Sequence, residues 1–286
     1  MNRARLAVLA SLLLLALVGC SATQLAYENG ATLLRWRATG YLDVQGAQAQ
    51  DLDRRIERFL AWHRRTALPQ YAQLAESCAR RVEHGITRAD LEWGYDAFHA
   101  QLEQSLRAAA QEMAPIMDSL SPEQIAHLEQ RFAEDNREFA EEDLAGDPAA
   151  RRKRRFERNV TRLEDWFGPL TAAQLAAVHR YSETAPLTGA LRGRDRQRRQ
   201  ADLLLILRAH EARLRLADWA VGWDQNRTPE YAAASRVHRE AYYDMLLEIG
   251  RTLSLEQRAS AAARFRRFAR DFQVLAKTED AASRRR

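Results

Sequence analysis

Apolar residues recur at helical spacing along almost the whole of this 286-residue chain, and that period restricts the fold more than any other feature. Leu91, Tyr95, Phe98, Leu102, Leu106, Ala109 and Met113 step by three or four and lay one apolar stripe along one helix face. Shorter stripes run through Leu52, Ile56, Phe59 and His63, through Ile125, Leu128, Phe132 and Phe139, and through Phe156, Val160, Leu163 and Phe167. Two more follow at Val237, Ala241, Met245 and Ile249 and at Phe265, Phe268, Phe272 and Leu275. No segment shows convincingly the alternation that a half-buried strand needs. The expectation is an all-α protein of about eight or nine amphipathic helices, paired as antiparallel hairpins in an elongated bundle.

Helix boundaries are marked by local chemistry. Ser121-Pro122, Asp147-Pro148 and Thr228-Pro229 each put a capping oxygen before a proline at the first helical position, where the missing N–H is not needed. Gly85, Gly146, Gly168 and Gly250 stand at expected helix ends. The weakly patterned stretch from Thr184 to Gly193 divides residues 27–183 from 194–277 as two helical regions, and the polar segment 278–286 reads as a disordered tail.

The first residues carry an address. Arg3 and Arg5 precede an apolar run from Leu6 to Val18, which ends in Leu17-Val18-Gly19-Cys20 without an acidic residue. A run this short falls below the ~18–20 residues of a spanning helix and reads as a signal peptide over 1–19. Leu-Val-Gly-Cys resembles the lipobox, in which the cysteine thiol is acylated and becomes the first mature residue. Residues 20–26 are then a lipidated tether, and Ser21 in place of aspartate resembles the outer-membrane pattern, with the body facing the periplasm. With Cys20 lipidated, Cys78 is the only remaining thiol, so no intramolecular disulfide is available. Its position with Tyr71, Leu74 and Val82 predicts a buried, inert side chain, with an intermolecular disulfide as the alternative.

One short motif repeats. Leu120-Ser121-Pro122-Glu123-Gln124, Leu170-Thr171-Ala172-Ala173-Gln174 and Leu253-Ser254-Leu255-Glu256-Gln257 share a leucine, a hydroxyl residue and a glutamine three positions later, and Ile86-Thr87-Arg88-Ala89-Asp90 is a looser copy. The physical reading is a capping box with a hydrophobic staple. The motif also resembles the LTxxQ repeat of the small periplasmic Spy and CpxP stress proteins, which are helical hairpins with chaperone or signalling roles. A broader resemblance joins Tyr27, Leu33-Leu34-Arg35-Trp36, Tyr41-Leu42-Asp43, Trp62-His63-Arg64-Arg65 with Leu68-Pro69-Gln70-Tyr71, these motifs, and Arg196-Gln197-Arg198-Arg199-Gln200. Together they are similar to a family of bacterial lipoproteins catalogued as a domain of unknown function. The resemblance implies a helical, membrane-anchored envelope protein and supplies no catalytic residue.

Two groups of side chains stand out as candidate binding residues. Trp62, His63, Arg64 and Arg65 form the first. His63 lies eleven positions after Leu52 and within about 20° of its direction on a helix, so it belongs to the apolar stripe, whereas Arg64 and Arg65 point elsewhere. His210 reads similarly against Leu203, Leu207 and Leu214. The basic run Arg151, Arg152, Lys153, Arg154 and Arg155 forms the second, with further clusters at 192–199, 264–270 and 284–286. Such runs serve as solvated helix faces or as patches for anionic lipid, and export argues against nucleic acid.

No metal-ligand spacing, phosphate-binding glycine loop or nucleophile elbow occurs, and no cofactor is assigned. The functional expectation is a non-enzymatic envelope lipoprotein held to the membrane by acyl chains on Cys20. It would act as a binding, structural or chaperone-like protein toward envelope proteins or anionic lipids. The alternative is a ligand-binding or hydrolytic domain with its site around His63 and Arg64.

Overall fold

The structure, a computed structural model, describes residues 22–283, with side chains through Lys277. The segment 1–19 expected to be a signal peptide, Cys20, Ser21 and Arg284 to Arg286 lie outside the described residues. Eleven helices and no strand are present among those described. They are α1 (Ala22–Glu28), α2 (Gly30–Leu42), α3 (46–84), α4 (Arg88–Asp118), α5 (Pro122–Asp143) and α6 (Pro148–Phe167). The chain continues through α7 (Ala172–Thr184), α8 (Gly189–Arg208), α9 (Ala212–Val221), α10 (Pro229–Thr252) and α11 (Leu255–Ser283). The all-α expectation holds, but the count exceeds eight or nine. Segments as short as α1 and α9, with 7 and 10 residues, are too brief to display a repeated apolar face. The backbone of α11 also stays helical past Thr278.

Capping chemistry fixes most starts. In Thr87/Asp90, Ser121/Gln124 and Thr171/Gln174 the hydroxyl accepts from the backbone N–H three residues on, while that residue's side chain accepts from the cap's own N–H. Ser254 and Gln257 make the same reciprocal pair, each bond 3.1 Å long. Pro122, Pro148 and Pro229 open α5, α6 and α10. Gly85 and Gly168 follow α3 and α6 at φ 101° and 76°, where a side chain would be strained.

Two expectations are corrected. Gly250 lies inside α10, not at its end; it is buried, and a Cβ there would sit 3.3 Å from Cβ of Ile86, so its role is close packing. His210 is not on the α8 face, because α8 stops at Arg208 and His210 turns the chain at φ 53°. There its Nδ1 reaches the Asp118 carbonyl at the end of α4, 2.8 Å away.

Two hydrophobic cores result. The first gathers Leu52, Ile56 and Leu60 of α3, Ile116 of α4, Leu128 of α5, Leu203 and Leu207 of α8 and Leu216 of α9. The second gathers Ala79 and Val82 of α3, Leu163 and Phe167 of α6, Val178 and Tyr181 of α7, Met245 and Ile249 of α10 and Ala262 of α11. Each core takes residues from both sides of segment 184–193, so packing does not follow that boundary. Helix α3 serves both, with a π-helical segment at His63–Ala67 between its α-helical parts Gly46–Trp62 and Leu68–His84. Helix α11 lies along the second part, where Ala72, Ala75, Ala79, Ala261 and Ala262 are buried. Small side chains at this seam let the two backbones approach.

The most regular stripe in the sequence is not fully enclosed. In α4 the C-terminal half enters the first core through Ala110, Ala114 and Ile116. None of Leu91, Tyr95, Phe98 and Leu102 in the N-terminal half is buried, and Phe98 is 57% exposed.

Candidate functional site

Helix α6 carries arginines at 151, 154, 155, 158 and 162, spaced by three, one, three and four residues, which gathers them on one face. That face closes one side of a cavity of about 740 Å³. Arg192 of α8, Arg227 in the turn before α10 and Arg239 of α10 join from other elements, so eight arginines line the space and Asp143 is the one carboxylate among its walls. Tyr181, His238, Trp223, Tyr231, Tyr95 and His99 complete much of the lining.

Arg155 is the fixed point of this arrangement. It is 7% exposed, and its guanidinium donates to the carbonyls of Ser182, Ala185 and Pro186, which closes the C-terminal end of α7. Burial pushes this guanidinium below its ordinary value, and Arg152 and Arg158 push the same way. An arginine nonetheless keeps its proton in a protein. The ring of Tyr181 lies under the Arg155 guanidinium at 5.4 Å. Burial pushes the Tyr181 hydroxyl up to about 12, against the pull of Arg155.

His238 is held neutral by the same environment. Its Nδ1–H donates to the Pro186 carbonyl at 3.3 Å, which leaves Nε2 to accept from the Tyr181 hydroxyl at 3.0 Å. Burial lowers its pKa from 6.5, and Arg155 adds to the effect, although the Pro186 bond opposes it. The site thus keeps its positive charge on arginine and offers Tyr181 and His238 as fixed polar walls.

Charge is far from balanced. Arg192 and Arg158 share Asp143, at 2.7 and 3.7 Å, and Arg227 pairs with Asp224 at 2.7 Å. Arg151, Arg154, Arg155, Arg162 and Arg239 have no carboxylate within 4 Å among the described residues. Nε of Arg151, Arg155 and Arg227 is buried with no hydrogen-bond partner among the described residues. Clustered guanidinium groups with unused donors have the geometry for an oxyanion, which accepts bidentate N–H pairs and offsets their mutual repulsion.

A second cavity of about 770 Å³ adjoins the first and has the opposite character. Aromatic and aliphatic side chains form it, including Tyr71, Leu74, Phe98, Trp166, Phe265 and Phe272, together with the unpacked stripe of α4. Its charged walls are Arg81, Asp90 and Arg162. Arg81 and Asp90 pair with each other, and Arg81 also covers the Trp93 ring at 4.0 Å. Cys78 lines this cleft half-buried, and burial pushes its thiol up.

The sequence candidates separate on these observations. From the basic run, Arg151, Arg154 and Arg155 enter the arginine cavity; Arg152 does not line it, and Lys153 turns to solvent, 3.9 Å from Glu157. Trp62, His63, Arg64 and Arg65 are absent from the walls of both cavities. His63 is half-buried in an aromatic cluster with Tyr27, Phe59, Trp62 and Tyr71, and its Nδ1 lies 2.9 Å from the Tyr27 hydroxyl. The Arg64 guanidinium packs over the Tyr27 ring at 5.5 Å, and Arg65 is exposed. Reading the basic run as consecutive residues missed Arg158 and Arg162, although their helical spacing was visible. Arg227, Arg239, Tyr181 and His238 arrive from distant segments and leave no common signal in the sequence.

Among the described residues no group of three or more His, Cys, Asp or Glu is placed to hold a metal, and no helix is long and apolar enough to cross a membrane. Comparison with known proteins gives one family match: the profile of DUF6279, a family of unknown function, covers residues 40–232. That span includes α6, Arg192 and Arg227 and ends before His238 and Arg239. No curated protein and no solved structure matches the chain.

Proposed function

We propose, for a chain that belongs to the DUF6279 family of unknown function, that it is a non-enzymatic envelope lipoprotein that captures anionic groups in its arginine cavity. Cys20 would hold it to the outer membrane with the helical body in the periplasm, in keeping with the lipobox and with Ser21. The observation that carries the reading is the imbalance of eight arginines against one aspartate around a single cavity. A solvated basic face would spread its side chains into water or pair them along the helix, as Lys153 does with Glu157. Here guanidinium groups from α6, α8, the turn before α10 and α10 converge instead.

The proposed chemistry is recognition without turnover. Arginine is a poor proton donor at neutral pH, and the neutral imidazole of His238 has both nitrogens engaged. A chaperone-like role is favoured by one separate observation, the aromatic cleft, since exposed apolar patches often mark interaction sites. The alternative site around His63 and Arg64 is less supported, because those side chains pack against Tyr27 and each other's neighbours and not into a cavity wall.

Titration of the non-lipidated body with inorganic pyrophosphate at low ionic strength tests this reading. Saturable one-to-one binding is expected, weakening with salt. Arg151→Gln and Arg162→Gln should each reduce affinity by roughly 10- to 150-fold, since a charge-assisted bond contributes roughly 1.5–3 kcal/mol. Absence of binding, or affinity indifferent to both substitutions, contradicts it.

A further inference from the structure

We infer that the arginine cavity and the aromatic cleft are one binding site for a phosphate-bearing lipid, with its phosphate among the arginines and an acyl chain in the cleft. The inference rests on the anion-binding reading and adds the class of ligand. The two cavities share walls: Tyr95, Arg162, Tyr242 and Tyr243 line both. Three of these are tyrosines, whose rings are apolar and whose hydroxyls are polar, as a boundary between a chain and a headgroup requires. Arg162 lies beside the Tyr242 hydroxyl and is the one charged group of the cleft without a carboxylate partner.

Each half lacks what the other half's ligand would bring. The arginines need negative charge, and a phosphate monoester brings up to about two charges and three terminal oxygens for guanidinium forks, where a carboxylate brings one charge and two oxygens. The cleft needs an apolar occupant, because Leu91, Phe98 and Leu102 have no packing partner that buries them. Volumes of about 740 and 770 Å³ each fall in the range of small-molecule sites. A second copy of this chain would suit the arginines poorly, since the chain carries a formal charge of +5.

In the cleft wall Tyr71 and Phe272 have their rings 5.8 Å apart, and Tyr71 also contacts His63, which stacks on Tyr27 of α1. Helix α1 packs on α11 through Gln24, whose Nε2 donates to Asp271 at 2.9 Å, and it begins two residues after Cys20. Aromatic packing therefore links the apolar half of the site to α1.

The test uses the full chain in cells grown with radioactive phosphate, with a benzoylphenylalanine photocrosslinker in place of Phe98 or, as control, in place of Leu255, which is 84% exposed. Light should transfer phosphorus label to the protein carrying the probe at 98 and not at 255. Arg151→Gln or Arg162→Gln should lower the label at 98 to the control level without reducing protein abundance. Equal labelling at both positions, labelling that ignores both arginine substitutions, or adducts without phosphorus, such as a dimer, overturns the inference. If pyrophosphate binds the body but no label appears at 98, the anion site stands and the lipid assignment falls. If pyrophosphate also fails to bind, both fall.

Discussion

The carboxamides of Gln174 and Gln257 hydrogen-bond each other in both directions, at 2.9 and 3.0 Å, across 83 residues of sequence. Each oxygen also accepts from the N–H of its own helix cap, Thr171 or Ser254, and each nitrogen also donates to a backbone carbonyl, that of Thr252 at the end of α10 or of Pro169 in the loop before α7. Both amides are buried and fully satisfied. Gln124 repeats the theme, donating to the side-chain oxygen of Gln48 at 2.7 Å and to the Asp43 carbonyl at 2.9 Å. The repeated glutamine therefore caps its own helix and ties that cap to a distant helix end or loop.

Gln174→Ala is accordingly expected to destabilise the protein by about 2–3 kcal/mol, because unpaired buried polar groups cost about 1–3 kcal/mol each and Gln257 would lose its partner. Chemical denaturation measures this. Replacing both glutamines by leucine should cost less than the sum of the single changes, and strict additivity would speak against the paired amides.

Arg155→Met should lower stability by about 2–3 kcal/mol as well, since three carbonyls at the end of α7 would lose a charged donor. Lys153→Met, two positions away on the exposed side, should change the unfolding midpoint little. Equal effects from the two substitutions would contradict the assignment of Arg155 to the interior.

How much of this was legible in the sequence depends on the range of the interaction. Caps at Thr87, Ser121, Thr171 and Ser254 are decided within four residues, and they were readable. The helical class was equally plain. The Gln174–Gln257 pair was not, because one glutamine gives no sign of which distant loop it meets. Gly250 looked like a helix end and proved to be a contact with Ile86, and His210 looked helical because the period was extended past the true end of α8. Five of the eight cavity arginines were present as spacing along α6; the other three depend on how α8, the turn before α10 and α10 are docked.

Stability should fall as pH drops below about 6.5. His63 and His238 both have pKa values lowered from 6.5 by burial, with Arg64 and Arg155 contributing in turn. Below 6.5 the unfolded chain takes up protons that the folded chain refuses, so folding is penalised down to the depressed folded pKa and no further. Urea midpoints at pH 7.5 and 5.5 read the effect, and His238→Gln should reduce it. A midpoint that rises on acidification over that interval would contradict the neutral, buried imidazoles.

Cys78 should react slowly with iodoacetamide in the folded protein and at ordinary speed in urea, because burial raises its thiol and reduces the reactive thiolate. Its place in the cleft wall adds a second expectation, that an occupied cleft slows it further. Rapid stoichiometric labelling of the folded protein would rule out the packing described here.

The proposed anchoring has a test of its own. Cys20→Ser should abolish incorporation of labelled fatty acid into the chain, and persistent incorporation would remove Cys20 as the lipid attachment point.

Anion capture by the arginine cavity is tested most directly by crystals of the non-lipidated body containing tungstate, an oxyanion that anomalous scattering locates. A strong anomalous peak is expected within hydrogen-bonding reach of guanidinium groups from α6 and α10, Arg151, Arg162 or Arg239 among them. Tungstate bound elsewhere on the surface, with that cavity vacant, would contradict it.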